Sequence, residues 1–311
     1  MILTVTMNPS VDMRFMVDEF ARGGVFRSRE EQQTAGGKGL NVTRVLSVLG
    51  VPVTATGLLG GSNGRFIRQQ LDEVGISHSF VDVAGNSRCC IAVLDGDCQT
   101  EVLGMGPSIS GAEEENFFTV FAELAAAAKV VTISGSLPPG MAAGTYRRLI
   151  ALAKEQGCRV LLDTSGEPLL EGIGAGPCLV KPNRSELEWL AGKKLESEED
   201  LFVALAEIGD KVSIAVVSLG AAGALALADG VSYRIRGPLM EAVNPVGSGD
   251  AMLAGMARGL VEKWALEKVF AYGAACGAAN ALEKMTGYVD PVQVEAIAAG
   301  VSVEKIESKS G

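Results

Sequence analysis

The 311-residue chain reads as an α/β protein: a doubly wound, mostly parallel sheet with helices on both faces, plus a small β-sheet lid. Three observations predict this. From residue 111 onward helical and strand patterns alternate regularly. Strand runs such as 129–134 and 159–163 are apolar throughout, as strands covered on both faces are. Two stretches, about 11–35 and 87–105, instead alternate apolar with polar residues and so expose one face, which assigns them to the lid. No repeat, low-complexity tract or long linker divides residues 1–311, so a single domain is expected.

In chain order, residues 1–7 form an apolar strand closed by Asn8-Pro9. Val11, Met13, Phe15 and Val17 alternate with polar residues, and a second alternating piece spans Phe26 to Thr34; both read as half-exposed antiparallel strands. The segment 35–50 opens on glycines and becomes helical, with Val42, Val45, Leu46 and Leu49 on one face and Gly50 as the stop. A strand at 52–58, a glycine cluster at 60–64 and a helix at 65–74 follow. Segments 89–94 and 99–105, joined by Asp95-Gly96-Asp97, read as a hairpin. Ser110 and Glu113 are spaced as a capping box for a helix from 111, and a second helix is expected at 143–156. A helix after 179–183, strands at 212–217, 224–228 and 231–236, the heptapeptide NPVGSGD at 244–250 with a helix behind it, and helices at 266–285 and 290–299 complete the pattern.

Composition narrows the function. A formal charge of -10 repels nucleic acid and anionic lipid, so neither nucleic acid nor membrane is an expected partner and a small molecule is. No stretch reaches about 18 uninterrupted apolar residues. The opening MILTVTMNP lacks the basic segment of a signal peptide. Six cysteines without a C-x-x-C pair read as thiols in a reducing compartment, and a cytoplasmic location is expected. His78 is the only histidine, which leaves almost no material for Ser-His-Asp catalysis or a histidine-rich metal site.

The chemistry concentrates at 244–250. Two glycines around one serine let backbone N–H groups converge at a helix start, the geometry of an anion hole. Asp250 falls in the first helical turn, where the dipole favours its charged form. A carboxylate beside an anion-binding turn is a candidate general base for a hydroxyl attacking a phosphoryl group; alone, the motif equally describes a capped glycine turn. Neither a P-loop nor G-x-G-x-x-G occurs, since Gln32 and Gly39 stand where a P-loop needs glycine and Ser/Thr. Lys38 and Asn41 sit on the opening turn of a helix and can hold a phosphate or sugar hydroxyls. Asp163, Lys181 and Asn183 lie at strand ends, where doubly wound sheets bind ligands. Asn183 and Glu186 have the spacing of a helix cap, and Glu186 is also a candidate to organise magnesium through water. The glycines of 218–223 suit a nucleotide's approach; Ser136 is a candidate substrate contact, and Arg88 can pair with a phosphate or be a solvated arginine.

Together these motifs resemble the PfkB/ribokinase family of sugar kinases. The carriers are TMNPSVD at 6–12, AGGKGLNVTRVLSVLG at 35–50, SGSLPPG at 134–140, DTSG at 163–166, KPN-x-x-E at 181–186, SLGAAG at 218–223 and NPVGSGDAMLAG at 244–255, in family order over nearly the whole chain. The opening residues, 87–94, 99–103 and TGYVD at 286–290 are most similar to the hexose-phosphate branch acting on tagatose 6-phosphate, with fructose 1-phosphate the alternative substrate. The resemblance implies ATP and Mg2+ as cofactors and phosphorylation of tagatose 6-phosphate at its C1 hydroxyl. It implies Asp250 as base, with Gly247, Ser248 and Gly249 as the anion hole. Asp12, Gly37, Lys38, Asn41, Arg88 and Ser136 would bind the sugar, Lys38 and Arg88 toward its existing phosphate. Lys181, Asn183, Ser218, Gly220, Gly223 and Asn280 would line the ATP side, with Glu186 reaching the metal through water. Cys89 departs from the branch, where asparagine is usual, so no sugar contact carries over to that position. A non-catalytic sugar or nucleotide binder is the remote alternative. A homodimer through the lid is also expected, because exposed strand edges invite partners.

Overall fold

The computed structural model describes residues 1–96 and 98–306. Its strands in chain order are β1 (Ile2–Thr6), β2 (Ser10–Val17), β3 (Glu30–Gly36), β4 (Val53–Leu59), β5 (Ser77–Asp82), β6 (Arg88–Asp95), β7 (Cys98–Leu103), β8 (Val130–Ser134), β9 (Arg159–Asp163), β10 (Leu179–Val180), β11 (Ile214–Ser218), β12 (Ala224–Ala228), β13 (Val231–Arg236) and β14 (Ser302–Ile306). The helices are α1 (Lys38–Val48), α2 (Gly61–Glu73), α3 (Gly111–Ala126), α4 (Thr145–Glu155), α5 (Gly166–Ile173), α6 (Arg184–Ala191), α7 (Glu198–Gly209), α8 (Ser248–Val261), α9 (Leu266–Leu282) and α10 (Pro291–Ala298).

Ten strands form one sheet in the order β14-β13-β12-β11-β10-β9-β8-β1-β4-β5. From β5 to β11 every neighbour is parallel, and β12 to β14 add an antiparallel edge. Side-chain alternation along each strand decides which helices cover which face. Leu3, Val5, Val131, Ile133, Val160 and Leu162 pack under Phe117, Phe121, Tyr146, Leu149 and Leu205, which places α3, α4 and α7 on one side. Ile2, Val130, Leu161 and Val216 point the other way, into Val45, Leu46, Leu253, Phe270 and Val294 of α1, α8, α9 and α10. The doubly wound arrangement expected from the apolar strand runs is thus present. No helix among the described residues is long and apolar enough to cross a membrane.

The second sheet has four strands in the order β3-β2-β6-β7, drawn from the two half-exposed stretches. β2 runs antiparallel to β3, as expected, but pairs in parallel with β6, from Ser10↔Arg88 to Val17↔Asp95. The parallel pairing follows from connectivity, since β2 continues from β1 and β6 follows β5, and β1 and β5 lie in the parallel part of the main sheet. Val11 and Ala35 anchor this sheet on Leu40, Leu59, Ile67 and Leu71. Asp97 of the expected hairpin turn lies outside the described residues.

Other boundaries differ for identifiable reasons. α2 begins inside the glycine cluster, because Asn86 Oδ1 accepts from Asn63 N at 3.0 Å and Ser87 Oγ from Gly60 N at 3.1 Å. The loop before β6 therefore caps a helix that its own sequence cannot. One helix was expected between residues 183 and 212 and two form, α6 ending on the left-handed Gly192 and α7 opening on a capping box at Ser197. β3 starts at Glu30, later than the alternation at Phe26 suggests.

Candidate active site

The carboxyl ends of the central strands, the N-terminus of α8 and the inner face of the small sheet enclose a cleft of about 920 Å3. Its floor is α8. Gly247 is left-handed, with φ 84°, and an added Cβ would lie 2.7 Å from Thr286 Cγ2, so only glycine fits that turn. Among the described residues no backbone acceptor takes the N–H groups of Gly249 and Asp250, which leaves two helix-start donors for an anion. Asn280, fully buried, fixes this turn from below. Its amide donates to Val246 O at 2.9 Å and its carbonyl accepts from Gly287 N at 2.9 Å. Asn280 was expected on the ATP side; it lies under the turn, with its hydrogen bonds spent inside the protein, and so shapes the anion hole without lining the cleft.

Asp250 is 6 % exposed and accepts from Asn41 Nδ2 at 2.7 Å through Oδ2. Burial pushes its carboxyl up to about 6, helped by the charge of Asp163 and opposed by Lys38, Asn41 and Lys181. Asp163, at the end of β9, receives Lys38 Nζ at 3.1 Å and Lys181 Nζ at 3.0 Å. Burial alone would raise Asp163, yet the two lysines outweigh it and hold the carboxyl below its usual range. Lys38 is in turn held well above the usual ammonium range, chiefly by Asp163 and against its own burial. Its second carboxylate neighbour is Glu186, at 3.8 Å.

On the sugar side, Asp12 projects from β2 with Ser10 Oγ donating to it at 2.5 Å. Burial raises its carboxyl. Gly36 makes room for it, since a Cβ there would sit 2.0 Å from Asp12 Oδ2. Gly37, Lys38, Asn41 and Arg88 also line the cleft. Lys38 and Arg88 are not brought together, however: the lysine is held by Asp163 and Glu186, and Arg88 donates to Asn8 O at 2.9 Å and Gly104 O at 3.2 Å. Ser136 lies outside the main cleft, in an adjoining depression shared with Arg88 and Asn8. Cys90, rather than Cys89, lines the cleft.

On the opposite side, Lys181, Asn183, Glu186, Ser218, Gly220 and Gly223 line one wall, and Leu239, Met240, Ala274 and Ala278 supply apolar surface. Asn183 caps α6: its side chain accepts from Glu186 N at 2.9 Å, while Glu186 Oε2 accepts from Asn183 N at 2.8 Å. Both halves of the capping box are therefore made, and Glu186 keeps Oε1 toward Lys38. Gly223 has φ 88°, and a Cβ would meet Ile235 O at 2.1 Å. Among the described residues no group of three or more His, Cys, Asp or Glu could hold a metal unaided. Glu186 has Oε2 in the capping box and Oε1 3.8 Å from Lys38, so it would reach a magnesium ion through water, with nucleotide phosphates supplying most of the ligands.

The strand-end position of Asp163 is legible in the sequence, but its central role is not, because that depends on both lysines converging on it. Arg44 is a site residue with no assignment from sequence. The available signal was its spacing three residues after Asn41, one turn along the same face of α1.

Comparison with known proteins identifies the family. The profile of pfkB family carbohydrate kinases matches residues 6–292. A tagatose-6-phosphate kinase of Staphylococcus epidermidis is 39% identical over 310 residues, covering 98% of this chain and 100% of that one. The solved phosphofructokinase-2 from Escherichia coli superposes with a TM-score of 0.91 at 29% identity, covering 96% of this chain and 98% of the other. A Thermotoga maritima protein described as a possible 1-phosphofructokinase gives a TM-score of 0.88 at 27% identity, with 98% and 99% covered. The chain belongs to the pfkB family of carbohydrate kinases and is a phosphotransferase that uses an alcohol as acceptor.

Proposed function

We propose that the protein transfers the γ-phosphoryl group of ATP to the C1 hydroxyl of D-tagatose 6-phosphate, giving D-tagatose 1,6-bisphosphate. The observation that carries this reading is the Asp250 carboxylate, fixed by Asn41 and standing beside the free N–H groups of Gly249 and Asp250. Ionised above about pH 6, Asp250 takes the hydroxyl proton as the oxygen attacks phosphorus and ADP leaves with the bonding pair. The α8 N-terminus stabilises negative charge on the transferring oxygens, and Lys38 faces the same group from between Asp163 and Glu186. Asp12 holds sugar hydroxyls. Arg88 and Ser136 would take the existing phosphate, in the depression that adjoins the main cleft. The apolar wall of Leu239, Met240 and Ala278 takes the adenine, with Gly220 and Gly223 allowing its close approach. Glu186 would hold magnesium through water, and the ion would neutralise phosphate charge.

The 39% identity to the S. epidermidis tagatose-6-phosphate kinase supports this sugar. Fructose 1-phosphate is the second reading, favoured by the likeness to the T. maritima protein, and the same base would serve it. Coupled ADP-release assays with both sugars separate them. Tagatose 6-phosphate is expected to give the higher kcat/KM, and a preference of about a hundredfold for fructose 1-phosphate overturns the assignment. The reading includes a homodimer through the small sheet, because β7 is an edge strand exposed along its length, with Val102 and Leu103 uncovered. Sedimentation showing only monomer at micromolar concentration contradicts that part.

A further inference from the structure

A polar chain runs from the buried Asp250 through the buried Asn41 to the half-buried Arg44. Asn41 Nδ2 donates to Asp250 Oδ2 at 2.7 Å, and Asn41 Oδ1 accepts from Arg44 Nη2. An asparagine amide has a donor end and an acceptor end of nearly equal shape, so packing alone does not decide which end meets the carboxylate. An ionised Asp250 only accepts and also calls for the NH2 end, but a protonated one does not; the guanidinium, which has only donors, fixes the orientation in both states. Arg44 takes the carbonyl end, which presents the NH2 end to Asp250. The arginine is itself anchored on two further sides: Nη1 donates to Ala35 O at the end of β3, and Nη2 to Thr286 O at 3.3 Å, on the residue that abuts Gly247. Among the described residues Asp250 Oδ1 accepts no side-chain hydrogen bond.

We propose that Arg44 is a positioning residue for phosphoryl transfer: by fixing the orientation of the Asn41 amide it holds Asp250 through Oδ2 and leaves Oδ1 to meet the sugar hydroxyl. The proposal rests on the reading of Asp250 as the base. Without Arg44 the amide can turn over when Asp250 is protonated, its carbonyl oxygen then accepting from the acid. That contact favours the protonated acid, so the carboxyl titrates higher and is less often ready to accept a proton. The charged groups facing Asp250 are Asp163 from β9, Lys38 and Arg44 from α1, and Lys181 beyond β10; Asp12 on β2 faces Arg44. Changing Arg44 alone leaves Asp163, Lys38 and Lys181 in place.

Two readouts on Arg44→Met test this. One is the 13C-carboxyl NMR titration of Asp250 in the free protein; the other is the pH profile of kcat. The midpoint is expected to rise by about one pH unit, kcat to fall about tenfold at pH 5 but only about twofold at pH 7, and KM for ATP to stay within about twofold. Arg44→Lys, which keeps the charge and remains donor-only, is expected to recover part of the loss. Loss of the arginine charge also acts on Asp250 directly, so the same change is made in an Asn41→Leu background, where only that direct effect survives. A smaller midpoint shift there supports action through the amide. An equal shift, or an unmoved midpoint in a folded Arg44→Met protein, overturns the proposal. If Arg44→Met does not fold, Arg44→Gln serves, since its amide can donate or accept and no longer dictates the orientation of Asn41. A midpoint that rises while the acid limb of kcat stays put would uphold Arg44 as the residue positioning Asp250 and remove Asp250 as the base.

Discussion

Replacing Asp250 by asparagine should stabilise the protein at alkaline pH, because it removes a charge the fold holds against its solvation. The carboxyl is 6 % exposed and displaced from 3.8 to about 6, mainly by burial. An acid whose pKa rises on folding binds its proton more tightly in the native state, so its ionised form costs stability. The cost is absent below pH 3.8, grows up to about pH 6 and is complete above it. Its full size is ~3 kcal/mol at 1.36 kcal/mol per pH unit, and at pH 5 about half of that remains. Asparagine stays neutral throughout. At roughly 2 °C per kcal/mol for a chain of this length, Asp250→Asn should melt about 4–6 °C above wild type at pH 8, with the gap halved at pH 5. Scanning calorimetry of the two proteins without ligands at pH 8, 6.5 and 5 measures this directly. A variant less stable than wild type at pH 8, or a gap independent of pH, would refute the reasoning.

Four further substitutions test separate parts of the site. Lys181→Met should cost ~3 kcal/mol in urea unfolding, because the Lys181–Asp163 pair is 4 % and 2 % exposed and its loss leaves a buried carboxylate half paired. Lys38→Met should cost only ~1 kcal/mol, since that side chain is 40 % exposed and Lys181 still serves Asp163; equal costs would contradict this ranking. Gly247→Ala, at φ 84° and against Thr286, should lose ~1–3 kcal/mol and reduce kcat more than it raises KM for the sugar, whereas wild-type stability and rate would show that the turn tolerates a side chain. Asn183→Ala should cost ~1 kcal/mol as a lost cap; a KM for ATP that also rises would assign Asn183 a nucleotide contact, and an unchanged KM would leave it as a cap alone.

Much of this was legible in sequence where physics is local. The Ser110–Glu113 capping box forms as its spacing requires, and the apolar runs at 129–134 and 159–163 become buried parallel strands. Where the controlling partner is distant, the pattern is silent. The start of α2 depends on Asn86 and Ser87, which cap it from another loop. The parallel pairing of β2 with β6 joins residues about 80 positions apart and leaves no mark on their alternation. β5, α5 and β14 are short elements that periodicity did not single out. In the site, the glycine turn and Asp250 declared themselves because backbone geometry demands glycine there. Asn280 did not reveal that it supports the turn, because its partners, Val246 and Gly287, lie 34 and 7 residues away. The role of Asp163 emerges only once α1 and the segment after β10 bring Lys38 and Lys181 onto it.

The account depends most on Asp250 accepting the sugar's proton. Single-turnover ADP release by Asp250→Asn with saturating ATP and tagatose 6-phosphate tests that claim most directly. The rate should fall about 10^3-fold while both substrates still bind within a few-fold of their wild-type affinity. A rate within about tenfold of wild type would contradict it.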